Sequence, residues 1–303
     1  MRQDVSNKGN LLKQMKKYRI SYLFVAPFLL IFCFFTVIPV LCAIIFGFSD
    51  FNMVSTPDFV GFNNYKRMFL VDELFPTAFR NTLLLATVTG PVSYLMSLML
   101  AWFVSDLPPK IRSMLTALFY APTLANVYLI WQLIFSGDSN GFLNAYLIKL
   151  GFLDMPVQWL TNSETLLPVL IFVLLITGMG TGFLTLIAGF ANMDRTLFEA
   201  GAVDGIKNRW QELWYITLPL LKPQLLIASI LTITSSFGIG GAIDVLCGNP
   251  STDYKAWTLM NHLNDMGTVR MEMGYACAIA TFLFIFMIGV NYFVQKLISK
   301  VGT

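Results

Sequence analysis

The residues of this chain whose types and spacing suggest chemistry fall into two groups. The first is a polar island of about 25 residues between hydrophobic runs. It reads Glu199, Ala200, Gly201, Ala202, Val203, Asp204 and Gly205, then Trp210 and Gln211, then Ile216, Thr217, Leu218 and Pro219. Ala200, Gly201 and Ala202 give a helix little side-chain bulk, so another protein's backbone can come close. Gly205 permits the left-handed conformation that ends a helix and turns the chain. Thr196 with Glu199 fits a reciprocal helix cap, and Asp194 fits the same start. A second short helix through Trp210, Leu213 and Trp214 supplies a large apolar face, and Pro219 and Pro223 then break or start helices where the next apolar run begins. The chemistry here is docking, with a partnerless interfacial loop as the alternative. The second group is Asn126, Tyr128 and Trp131 with Ser235, Ser236 and Phe237, inside two apolar runs. Amides and hydroxyls exchange hydrogen bonds with a polyhydroxylated solute, and an aromatic face covers the C–H face of a sugar ring. The same residues also suit helix–helix hydrogen bonding or anchoring at a bilayer interface.

Stepping outward, the elements that position these groups are membrane helices. Hydrophobic residues make up 56% of the 303, charged residues only 12%, and the mean hydropathy is +0.67, outside the range of soluble domains. A bilayer core of about 30 Å needs roughly 20 apolar residues per helix. Six such runs occur, approximately 20–48, 81–104, 113–135, 165–193, 224–243 and 273–295, and none contains an Asp, Glu, Lys, Arg or His. Ion pathways use ionisable groups at membrane depth, so an ion-coupled transporter finds no support, and neither does a membrane-embedded enzyme. The chain also lacks the Gly-x-x-x-x-Gly-Lys-Ser/Thr phosphate loop, so energy has to come from a separate subunit.

Six spans return the chain to its starting side. Segments 1–19, 105–112, 194–223 and 296–303 hold 14 of the 20 Lys and Arg, which places them, and both termini, in the cytoplasm. The net charge of +3 therefore orients the protein and implies no nucleic acid partner. A tail over 1–19, a membrane domain over 20–303 and a cytoplasmic loop over 194–218 follow. The first run is too long for a secretory signal and has no small-residue cleavage site. Outside, the stretch from Gly141 to Leu153 reads as a short surface helix. Cys33, Cys42, Cys247 and Cys277 show no metal or disulfide spacing and read as small membrane-core residues. His262 reads as a surface histidine, and Asp244 as a headgroup-region residue or an outer-gate contact. Gly178 and Gly182 are spaced for close helix contact.

The order E-A-G-A-x-D-G, W-Q, I-T-L-P-L-L-x-P resembles the cytoplasmic EAA loop of bacterial ATP-binding-cassette (ABC) importer permeases. Supporting stretches are Ala26-Pro27-Phe28, Ile38-Pro39, Phe59 to Tyr65, Asn81-Thr82-Leu83 and Met273 to Ala276. The likeness is greatest to carbohydrate permeases, in particular the half related to the maltose importer's larger membrane subunit. Gly201, where the family usually has alanine, and Met193-Asp194, where many relatives carry Ile-Pro, depart from the pattern. The resemblance implies an all-α, six-helix permease of type I importer fold, multi-pass in the bacterial cytoplasmic membrane and not itself an enzyme. It also implies a coupling contact made by Glu199, Ala200, Gly201, Ala202, Asp204, Gly205, Trp210, Leu218 and Pro219. The implied partners are two cytoplasmic ATPases carrying ATP-Mg, a second related permease, an extracellular solute-binding protein, lipid and a carbohydrate. No cofactor is expected on this chain. Glycerol-phosphate-type importers share the scaffold, and the lack of a cation in the spans favours a neutral sugar.

Overall fold

In hydrocarbon a backbone N–H or C=O has no water to bond, so an apolar chain satisfies these groups internally as helix. The computed structural model, which describes residues 17–124 and 127–299, follows that rule. Helix α1 runs Arg19–Phe46 and ends beside a two-residue hairpin in which Ser49–Asp50 pairs antiparallel with Asp58–Phe59. Helix α2 (Asn63–Leu70) precedes α3 (Leu74–Ser105). Two segments follow, α4 (Pro109–Leu124) and α5 (Tyr128–Ile134), and then the short helix α6 (Phe142–Lys149). Helices α7 (Leu166–Ala191), α8 (Thr196–Val203) and α9 (Arg209–Phe237) lead to α10 (Gly240–Cys247), α11 (Leu259–Asn264) and α12 (Met273–Ile298). Among the described residues five helices are long and apolar enough to cross a membrane, or six if α4 and α5 form one span.

Three expectations need correction. The third span is not one rod, because α4 and α5 lie at 85° to each other, with Pro122, which has no N–H for the helix ladder, near the end of α4. The fifth span does not begin near residue 224. Its helix starts at Arg209 inside the polar island and continues without interruption past Pro219 and Pro223 to Phe237. A π turn over Leu213–Thr217 sits where the missing N–H of Pro219 would otherwise reach back, and it absorbs the gap. The fifth helix also stops short of residue 243, breaking at Gly238 before α10.

The core is divided by depth. One cluster packs Met68, Phe75, Trp257, Leu259 and Tyr275 among α2, α3, α11 and α12, and a second gathers Leu166, Leu170, Ile243 and Leu246 between α7 and α10. A third cluster, toward the C-terminal end of α3, joins Leu98, Trp102, Phe183, Leu186, Leu221 and Leu225 across α3, α7 and α9. Small residues bring these three helices together. A Cβ on Gly178 would lie 3.1 Å from Ser93 Oγ, and one on Gly182 3.0 Å from Thr232 Oγ1, so the Gly-x-x-x-Gly spacing does serve close contact. Helix α1 packs on α12 through its second half and has no buried residue.

Candidate functional site

The polar island folds as a rigid corner. Asp194 Oδ1 accepts the Thr196 N–H at 3.0 Å just ahead of α8, and that bond holds the Asp194 carboxyl below the usual range. No side chain caps the helix itself, so the Thr196–Glu199 reciprocal cap does not form. Gly205, at φ +96°, ends α8 as its sequence position required, and Ile206 N donates to Gly201 O at 3.0 Å to close the turn. The next start is capped by a side chain instead, that of Asn208. Asn208 Oδ1 accepts Gln211 N at 2.9 Å and Gln211 Oε1 accepts Lys207 N at 2.8 Å.

These bonds decide which residues of the island can meet a partner. Glu199, Ala200, Ala202, Asp204 and Gly205 are exposed, and so is Val203, at 88%. Gly201 faces inward instead. A Cβ there would lie 2.6 Å from Ile216 Cδ1, so its smallness serves the packing of α8 on α9. Leu218 is likewise buried and Pro219 partly so. The Trp210 ring lies 4.9 Å from that of Trp102 on α3, and the Arg209 guanidinium, 5.0 Å over the same ring, pairs with Asp106. The island is thereby fastened to the C-terminal end of α3 beside a cavity of about 500 Å³ lined by Trp102, Arg112, Phe190, Glu199 and Arg209 among others. Trp102 and Asp106 were not legible as parts of this unit, nor was the contact of Arg209 with them, since it joins residues about a hundred positions apart.

Deeper in the membrane, a cleft of about 230 Å³ opens where α4 and α9 end and α5 and α10 begin. Its lining is Thr89, Ser93, Pro122, Thr123, Tyr128, Leu174, Thr177, Gly178, Thr181, Ser235, Ser236 and Ile239. Broken helices meeting at mid-depth are a recurring way to build a solute site inside a bilayer. Thr89, Thr177 and Ser236 each donate to the carbonyl four residues back, at 2.7, 2.9 and 2.8 Å. Thr123 and Ser235 bond the carbonyl three residues back, at 2.6 and 2.8 Å. Ser93 reaches across to Leu175 O at 3.4 Å. Of the residues expected on a solute path, Tyr128, Ser235 and Ser236 line this cleft. Trp131 does not: it stacks on Phe135 and meets Phe172 edge-on, each at 5.9 Å, in the apolar packing between α5 and α7. Phe237 is buried against Phe286. Asn126 lies outside the described residues. The hydroxyls on α3 and α7 were missed, although the sequence carries a signal for them. Thr89, Ser93 and Ser97, and again Thr177, Thr181 and Thr185, recur at four-residue intervals and so share one helix face.

The opposite end of the bundle, where α3 begins, holds a third constellation. His262 is fully buried rather than on the surface, with Nε2 2.8 Å from Asp72 Oδ2, and the Tyr275 hydroxyl donates to the same oxygen at 2.5 Å. Leu74 and Phe75 N–H groups bond Asp72 Oδ1 at 2.9 and 3.1 Å. Burial alone would push the Asp72 carboxyl up, but the hydrogen bonds from Tyr275, His262 and the backbone outweigh it and hold the group below the usual carboxylate range. Asp244 accepts a hydrogen bond from Asn261 Nδ2 at 2.7 Å, which ties α10 to α11. The four cysteines are unpaired; Cys247 is buried and Cys33 is exposed on α1.

A bundle of membrane-length helices, broken at mid-depth around a polar cleft and carrying an ordered polar corner on one side, defines a membrane transport protein. Comparison with protein-family models finds no match. The chain is 32% identical over 284 residues to the arabinooligosaccharides transport system permease protein of Bacillus subtilis, covering 93% of this chain and 89% of that protein. It is 27% identical over 224 residues to the lactose transport system permease protein of Rhizobium radiobacter, 72% of each chain. Its fold matches a chain of a bacterial alginate ABC transporter, solved in complex with an alginate pentasaccharide-bound periplasmic protein, with a TM-score of 0.76 at 23% identity over 97% of this chain and 99% of that one. The chain belongs to the permease subunits of carbohydrate ABC transporters, integral proteins of the cytoplasmic membrane that carry out transport rather than catalysis.

Proposed function

We propose that this chain forms half of the translocation pathway of a binding-protein-dependent importer for oligosaccharides and transmits to it the work of a separate ATPase. The observation that carries this reading is the continuity of α9. One helix begins at Arg209 in the exposed polar corner and ends at Ser235 and Ser236 in the hydroxyl-lined cleft. A displacement imposed on the corner moves the wall of the cleft directly, because an unbroken helix transmits motion along its axis. The exposed set Glu199, Ala200, Ala202, Val203, Asp204 and Gly205 is the coupling contact, and Gly201, Leu218 and Pro219 hold its shape from within. ATP-Mg belongs to two cytoplasmic ATPase subunits, and this chain binds no cofactor of its own. A second, related permease supplies the other wall of the path, with lipid or that subunit covering α1, and an extracellular binding protein delivers the solute. Both termini lie in the cytoplasm. Relatives named for arabinooligosaccharides and lactose support a neutral oligosaccharide as the solute.

The test is ATP hydrolysis by the reconstituted complex of this chain, its second permease, the ATPases and the binding protein, across a panel of oligosaccharides. Stimulation by one class of sugar supports the reading and names the solute. A complex that hydrolyses ATP but responds only to phosphorylated or non-sugar solutes would overturn the carbohydrate assignment. Failure of Val203→Asp to weaken co-purification with the ATPases would overturn the coupling contact.

A further inference from the structure

Helices α4 and α7 touch closely beside the cleft and leave a groove between them toward the polar corner. They meet where a Cβ on Gly180 would lie 3.3 Å from Phe119 O, and Phe119 meets Phe183 edge-on at 5.7 Å. From there toward the start of α4 the groove holds about 460 Å³. Arg112, Thr116 and Tyr120 recur along its α4 wall at four-residue intervals, with Ser113 and Ala117 beside them, so these residues share one helix face. Ala188 and Ala191 of α7 are too small to fill the space opposite. Ser113, Ala117, Ala188 and Ala191 are exposed, as are the apolar side chains Ile111, Met114 and Leu118 on the flanks of α4, so the groove gives onto a hydrocarbon-facing surface.

Polarity runs along this groove in one direction. Arg112 and Ser113 stand at the end by the corner, and about 8 Å farther along the helix Ala117 faces Ile187 and Ala188. The Thr116 hydroxyl is spent on Arg112 O at 2.7 Å. A guanidinium has five N–H donors, and that of Arg112 gives one of them to Ser105 O at 3.4 Å. Among the described residues no carboxylate lies within 4.0 Å of it. Asp106 is taken by Arg209, and Glu199 and Glu212 lie beyond that distance in the neighbouring corner cavity, which Arg112 also lines. Helix α4 has no acidic residue and carries Lys110 two positions earlier. Outside the described residues the only acidic side chain is that of Asp4. A half-buried cation thus stands at the membrane border with donors to spare.

We propose that this groove is a binding site for an anionic phospholipid, with the phosphate on Arg112 and Ser113 and an acyl chain along Ala117, Ile187 and Ala188. The order of its chemistry, a cation at the border and an apolar wall inward, is the order of the lipid itself, and basic pockets between membrane helices take anionic headgroups. A neighbouring protein would have to bring a carboxylate to this depth at a desolvation cost, whereas the lipid phosphate is already there. A zwitterionic lipid offers the same phosphate but adds an ammonium, which Lys110 and Arg112 repel. The site needs only that the chain spans a bilayer, and it holds whichever solute the cleft carries.

The experiment reads which lipid occupies the groove, not transport. Ala117→Cys carries a thiol-linked benzophenone in the complete permease–ATPase complex, held in nanodiscs of phosphatidylcholine with a minor fraction of phosphatidylglycerol. The unsubstituted chain is the blank for the four native cysteines. After illumination, mass spectrometry counts the lipid adducts of each kind. Phosphatidylglycerol adducts are expected to exceed that lipid's share of the nanodisc by about fivefold, the scale of one arginine against one lipid charge. Arg112→Gln should bring the ratio down to the bulk share, and Arg112→Lys should keep most of the excess. A bulk ratio with Arg112 intact, or an excess that survives Arg112→Gln, overturns the proposal. An adduct with the second permease in place of lipid overturns it as well, since that subunit then covers the groove. Loss of the excess on adding inorganic phosphate at constant ionic strength makes a free anion the ligand and also overturns it. Should Ala117→Cys fail to assemble, Ala188→Cys on the facing wall gives the same readout.

Discussion

Asp72 accepts four hydrogen bonds from groups that the chain brings together only by folding: two backbone N–H groups at the start of α3, His262 of α11 and Tyr275 of α12. His262→Ala removes a fully buried partner and leaves a hole, so the variant should lose about 2–4 kcal/mol. Tyr275→Phe, which removes one hydrogen bond to a charged group, should lose about 1–3 kcal/mol. Thermal unfolding in detergent reads both, and an unchanged midpoint for His262→Ala would refute the clamp. The acid limb has a definite sign. The Asp72 carboxyl is held below its unfolded value, so its contribution is present above about pH 4 and is lost as the pH falls through the lower folded value. Asp72→Asn should therefore be less stable than the parent at neutral pH and lose less on acidification. Gly274 makes the companion prediction, because a Cβ there would meet the backbone oxygen of Ser49 at 2.1 Å and Phe51 N at 2.9 Å. Gly274→Ala should abolish stable insertion, judged by membrane yield. None of this was visible locally: a lone histidine in a polar loop looks solvated until its partner, 190 residues away, is known. Gly205 was legible, because a single-residue turn depends on its own φ alone.

At the scale of elements, the island's composition announced a compact corner of two short helices turned at a glycine, and that is how it folds. Its join to the membrane was misread because Pro219 and Pro223 looked like breaks, whereas a π turn lets the helix run through the first of them. The consequence lies in how motion leaves the corner. Two routes exist: along α9, and across to α3 through the Arg209–Trp102–Trp210 stack with Asp106. The Arg209–Asp106 pair is half exposed and contributes roughly 0–1 kcal/mol by itself, so its work is to keep the guanidinium over the Trp102 ring. Trp102→Ala should then leave the ATPases bound but reduce sugar-stimulated hydrolysis by about tenfold, the scale expected from losing one packed aromatic pair. Asp106→Asn should cause a smaller loss of the same kind. Co-purification and hydrolysis measured on the same preparation separate the cases. Loss of ATPase binding in Trp102→Ala would mean the stack merely holds the corner folded.

For the whole molecule, the charge asymmetry along the sequence and the three-dimensional arrangement make one joint statement about sidedness. The corner at α8, rich in Lys and Arg around it, lies at the end of the bundle where α3 finishes at Ser105, while the Asp72–His262–Tyr275 clamp lies at the end where α3 starts. The span count and the helical class were readable because a bilayer enforces length and apolarity directly. The cleft was readable only in part, since which face of each helix turns inward depends on packing at Gly178 and Gly182 that spacing alone leaves open. Two exposed positions test the orientation independently of transport: Met155, 76% exposed in the loop after α6, and Asp204, exposed at the end of α8. With a membrane-impermeant maleimide, and the unsubstituted chain as the blank, Met155→Cys should be labelled in intact spheroplasts. Asp204→Cys should be labelled only in inverted vesicles. The opposite pattern would place the exposed corner out of reach of any cytoplasmic ATPase and overturn the coupling role; with α4 and α5 as one span, making six, it would overturn the placement of both termini as well.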